Sequence, residues 1–86
     1  MPEISRFFGI VIRMYFDDHS PAHIHAEHQG HRAVFDLKGN LTLGSLDSRT
    51  ATRLVREWID IHMDELHTDW ELAQNGQSLN WIPPLE

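Results

Sequence analysis

Residues 23–36, HIHAEHQGHRAVFD, constrain this chain more than any other stretch, because they specify the register of a β-hairpin. With Gln29-Gly30 as a two-residue turn, His28 faces His31, Glu27 faces Arg32 and Ala26 faces Ala33. His25 then faces Val34, Ile24 faces Phe35, and His23 faces Asp36. Side chains alternate along a strand, so this register places Ile24, Ala26, Ala33 and Phe35 on one face. His23, His25, Glu27, Arg32, Val34 and Asp36 share the other. A slip of one residue would mix the two sets, so the pattern supports its own register.

The flanking segments extend the same architecture. Ile10, Ile12, Met14 and Phe16 alternate with Val11, Arg13 and Tyr15, the period of a half-buried strand. Asp17–Ala22 is a loop of turn formers, and Leu41–Leu43 is a short strand after the Lys38-Gly39-Asn40 turn. The period then changes. Asp47 or Ser48 can cap a helix in which Ala51, Leu54, Val55, Trp58, Ile59 and Ile61 form one apolar face. A straight continuation would carry Glu65 and Asp69 into that arc, so a break is expected near His62–Asp64, with Asp64 as a second cap. A second helix then turns Leu66, Trp70 and Ala73 inward and stops at Asn75-Gly76. The tail from Leu79 is extended, with Trp81 and Ile82 docking it. The expected fold is α+β: a small antiparallel sheet of three to four strands followed by two C-terminal helices packed on one face, as a single domain over 1–86.

Composition narrows the chemistry. With no cysteine, disulfides, thiolate zinc sites, iron–sulfur clusters and cysteine nucleophiles are excluded. A domain of 86 residues has a marginal core, so a non-thiolate metal, a protein partner or a homodimer would each add stability. The net charge is −6, with −1 in residues 1–38 and −5 in residues 39–86. Such a chain does not hold nucleic acid through bulk charge, so RNA contact would need a local basic site. No apolar run suits a membrane span and no signal peptide is visible, which fits a cytoplasmic protein. Nucleophile-elbow, phosphate-loop and dinucleotide-glycine patterns are absent, which argues against oxidoreductase and kinase chemistry.

Five of the seven histidines lie between His19 and His31. His23 and His25, at i and i+2, point the same way, and Asp36 opposite His23 could orient its ring. One reading is metal-independent RNA cleavage, with His25 as general base, His23 and Asp36 as the acid dyad, and Arg13 and Arg32 binding phosphate. A second is a metal centre of His23, His25 and Asp36, the two-histidine, one-carboxylate set of many iron and zinc sites. A third is that these are cross-strand pairs of modest stabilising value. Arg49, Arg53 and Arg56 span an arc of about 60° in the N-terminal half of the first helix, where cations oppose the macrodipole. They could bind phosphate or an acidic partner, or form a solvated face paired as Arg53–Glu57 and Arg56–Asp60. His62 is expected in the core and His67 in solvent.

The opening PEISRFFGIVIRMYFDDHSPAHIHAEHQG, the later AVFDL and the WELAQNG near the end resemble a bacterial family, domain-of-unknown-function family 4160. Its members read PPHFHA where this chain has Pro21-Ala22-His23-Ile24-His25-Ala26, so both histidines are retained while Ala22 and Ile24 depart. The resemblance implies a neighbouring-gene partner, a small protein of domain-of-unknown-function family 2442, in a toxin–antitoxin-like pair.

Overall fold

The change of period produces five strands followed by two helices. A computed structural model describes residues 2–16 and 18–86; Met1 and Asp17, the first residue of the expected 17–22 loop, lie outside the described residues. The strands are β1 (Glu3–Phe7), β2 (Ile10–Arg13), β3 (His23–His28), β4 (His31–Asp36) and β5 (Leu41–Gly44). They form one antiparallel sheet in the order β1-β2-β3-β4-β5. The helices are α1 (Arg49–Ile61) and α2 (Met63–Gln74).

The β3–β4 register is the one the alternation requires, with His23 opposite Asp36 through to His28 opposite His31. The turn residues Gln29 and Gly30 have φ of 47° and 81°, the double left-handed geometry of a type I′ hairpin turn.

The sheet has one strand more than expected. The additional strand is β1, whose alternation is broken by a register shift between Glu3 and Ser5 that buries Ile4 and Ser5 together. The second strand ends at Arg13 rather than Phe16. Met14 stays buried and its amide donates to the Pro2 carbonyl, whereas Phe16 is exposed.

Ile4, Phe7, Ile10, Ile12, Ile24 and Phe35 form the buried face of the sheet, and Ala51, Val55, Trp58 and Ile59 of α1 complete the core with Leu66 and Ala73 of α2. Ser48 caps α1, its hydroxyl accepting from the Ala51 amide at 3.0 Å. Ile61 is 63% exposed, against expectation. At 100° per residue the buried positions run from Trp58 to Ile59, and Ile61 falls about 60° outside that arc.

The helices break at His62, which stands at the N-cap of α2 without a side-chain capping bond. Asp64 is therefore not the cap; it lies with Glu65 in the first turn, where negative charge favours the helix dipole. The break removes Glu65 from the apolar arc but not Asp69, which is fully buried and accepts from the Asn80 amide at 2.9 Å.

That bond is one of three that dock the tail. The Ile82 amide donates to the Ile4 carbonyl on the outer side of β1 at 2.8 Å, and the Trp58 indole N–H donates to the Pro83 carbonyl at 2.9 Å. Ile82 is buried, whereas Trp81 is 56% exposed, so of the two expected anchors Ile82 is the one that enters the core. No helix among the described residues is long and apolar enough to cross a membrane.

Candidate metal centre

The open face of the sheet is built in rows across the strands. One row is Arg13 on β2, His25 on β3, Val34 on β4 and Leu43 on β5; the next is Val11, Glu27 and Arg32. His23 lies two residues along β3 from His25, on the same face.

The carboxylate that meets both histidines belongs to Asp18. Its Oδ2 lies 2.7 Å from His23 Nε2 and 3.1 Å from His25 Nε2. One nitrogen from each ring and one Asp18 oxygen all lie within 4.8 Å of one another.

Several elements hold this arrangement. The Gln74 amide nitrogen at the end of α2 donates to the Asp18 carbonyl at 2.8 Å, which ties the loop to the helix layer. Asp18 Oδ1 accepts from the His19 amide at 3.1 Å. Trp70 packs against the His23 ring at 5.3 Å between centroids, and Tyr15 meets His25 edge-on at 4.5 Å. The loop and Trp70 leave His23 only 9% exposed, although it lies on the face away from the core.

The His23 ring is defined at both ends. Its Nδ1 lies 2.7 Å from the Pro21 carbonyl, which can only accept, so Nδ1 carries a proton. An unprotonated Nε2 and a carboxylate oxygen would then oppose lone pairs at 2.7 Å, which requires a positive centre there, either a proton or a metal ion. Burial pushes the Asp18 carboxyl up, but hydrogen bonds from His25 and His23, the charge of His23 and the His19 amide outweigh it and hold the group below the ordinary carboxylate range.

Asp36 faces His23 in the ladder, but its carboxylate turns the other way. It accepts from the Lys38 and Asn40 amides and from the Asn40 side chain, all at 2.9 Å, and closes the β4–β5 turn. Burial pushes its pKa up, and the Asn40 and Lys38 contacts more than reverse this, leaving it lowered.

Arg13 and Arg32 join the same face through Glu27, Arg13 at 2.8 Å and Arg32 at 3.7 Å. Arg49, Arg53 and Arg56 lie apart, around the N-terminal half of α1. Arg53 pairs with Glu57 at 2.8 Å, while Arg56 donates to the Gly39 carbonyl at 3.0 Å instead of meeting Asp60. His62 is largely buried and bonds Glu65 at 2.6 Å, and His67 is exposed.

The sequence profile of the domain of unknown function DUF4160 matches residues 9–71. The chain belongs to the DUF4160 family. No curated protein and no solved structure matches it. The DUF4160 match takes in Asp18, His23, His25, Arg13 and Arg32, and leaves out β1, Gln74 and the tail. Sequence reasoning missed Asp18, Tyr15, Trp70 and Gln74 as parts of the candidate site. The available signal was an aspartate five residues before His23, in a loop that must turn back through Pro21 to enter β3.

Proposed function

We propose that this DUF4160 protein binds a divalent metal ion, such as zinc or iron, through Asp18, His23 and His25. The carrying observation is the His23 ring. Its Nδ1 donates to a backbone carbonyl, the usual outer partner of a metal-bound histidine, and its Nε2 meets the same Asp18 oxygen as His25 Nε2, a place a metal ion could take in exchange for a proton. Three protein ligands at a surface depression make an open centre of the catalytic type rather than a closed structural one. The alternative of two histidines flanking a phosphate as acid and base is less favoured, because both rings converge on one carboxylate oxygen. The test is metal analysis and titration of protein purified without a histidine tag. One equivalent of zinc or iron, lost on Asp18→Ala and His25→Ala, is expected. No stoichiometric binding would overturn the reading.

A second reading concerns the partner. We propose a toxin–antitoxin-like pairing with a small protein of domain-of-unknown-function family 2442, acting on RNA through the His23/His25 face with Arg13 and Arg32 as phosphate contacts. The observation in its favour is β5, an edge strand without charge whose Leu41 and Leu43 are exposed. Co-purification with the neighbouring gene product tests it, together with growth on expression alone. Absence of a complex, or equal growth for the wild type and a His23→Ala/His25→Ala variant, counts against the pairing and the RNA chemistry respectively.

A further inference from the structure

We infer that the open side of the centre takes a phosphate-class oxyanion, held between the metal ion and the guanidinium groups of Arg13 and Arg32. This rests on the metal reading above and adds the ligand.

Placement is the first ground. Arg13 is the direct neighbour of His25 across the β2–β3 ladder, and Arg32 stands on β4 opposite Glu27, one row away. The depression of about 270 Å³ beside Asp18, His23 and His25 shares His25, Val34 and Leu43 with a groove of about 600 Å³ that holds Arg13 and Arg32. The two depressions are therefore neighbours.

Charge is the second ground. Glu27 is the only carboxylate that either guanidinium meets among the described residues. It engages Arg13 through one nitrogen and leaves Arg32 at 3.7 Å, with the Arg32 side chain 83% exposed and free to swing. On the face as a whole, two arginines oppose the carboxylates of Asp18, Glu27 and Asp36. Without a metal ion the two guanidinium groups do not outweigh the three carboxylates, and the face has no surplus of positive charge to hold an anion. A divalent ion supplies that surplus where the guanidinium groups can share the ligand, so anion binding depends on metal loading.

Shape is the third ground. Tyr15, Val34 and Leu43 give the groove an apolar floor and wall beside the charged end, with Leu43 69% exposed. Such a groove suits a phosphomonoester with a flat or apolar body better than the free ion.

Calorimetric titration tests this with inorganic phosphate and a 5′-nucleoside monophosphate as probes, on apo protein and on protein carrying one equivalent of zinc. Zinc loading should tighten binding of both probes at least tenfold. The nucleotide should bind more tightly than phosphate if the apolar wall is used, and equal affinities would make free phosphate the ligand. Arg32→Ala, at an exposed position, should weaken binding threefold or more, and Arg13→Gln further. Unchanged affinity in both variants, or equal affinity with and without zinc, would overturn the inference and leave the metal site standing. Failure of zinc to bind would overturn both readings.

Discussion

His23 Nε2 lies 2.7 Å from the carboxylate of Asp18, and the opposite corner of the same ring lies 2.7 Å from the Pro21 carbonyl. The imidazole is pinned along its length by two groups from the loop that precedes it. Among the described residues Asp18 supplies the only anionic oxygen that meets both histidines, so Asp18→Asn should reduce zinc affinity by more than the 10–100-fold, roughly, that loss of an outer partner costs. Competition against a chelator of known affinity measures this, and an unchanged constant would remove Asp18 from the ligand set.

Asp36 should behave in the opposite way. Its carboxylate holds the β4–β5 turn through three bonds and offers nothing to the histidines. Asp36→Ala is expected to lower stability by about 1–2 kcal/mol while leaving zinc affinity intact. Urea unfolding and the same chelator competition, run on one preparation, separate the two effects.

Two glycines with left-handed backbones should respond differently to a methyl group. Gly44 has φ +73°, and an added Cβ would lie 2.4 Å from the Arg32 carbonyl oxygen. Gly30 has φ +81°, with open space around it. Gly30→Ala should cost only the conformational penalty, about 1–2 kcal/mol. Gly44→Ala adds a clash with backbone that cannot move aside, so it should cost about 3 kcal/mol or more. Equal thermal shifts for the two variants would contradict this geometry.

Asp69 gives a pH signature. Burial pushes its carboxyl up, the Asn80 amide offsets part of that, and the charge of Glu65 adds to the rise. A folded-state pKa above the unfolded one means that the native state holds the proton more tightly. The stability from this group is therefore complete at low pH and is lost as pH rises from the unfolded value through the folded one. Asp69→Asn cannot ionise. The variant should exceed the wild type by about 1 kcal/mol at neutral pH, with the gap closing toward about pH 4. Urea unfolding at pH 7 and pH 4.5 checks the sign, and a gap independent of pH would refute it.

The hairpin register was legible because a two-residue period allows only one sorting of Ile24, Ala26, Ala33 and Phe35 away from His23 and His25. The helix break was legible because Glu65 and Asp69 could not both continue the arc of α1. Asp69 nevertheless enters the interior, because the tail offers it the Asn80 amide. β1 was hidden by the irregularity that buries Ile4 and Ser5 side by side. The carboxylate of the site was hidden for a different reason. Local pairing pointed to Asp36, while the position of Asp18 depends on Gln74, 56 residues further along the chain, and on Trp70 behind His23. A ladder can be read from its alternation, but a loop that folds back onto a strand is set by what it meets there.

The tail along β1 also bears on how copies of this chain can associate. Its Ile82 amide occupies the Ile4 carbonyl, so the outermost strand on that side is engaged there, while β5 on the far side has no such bond among the described residues. Strand-to-strand growth needs two open rims, and the tail obstructs one of them. Edge association through β5 therefore closes after a single like-to-like joint, so it yields a finite twofold pair rather than a fibre.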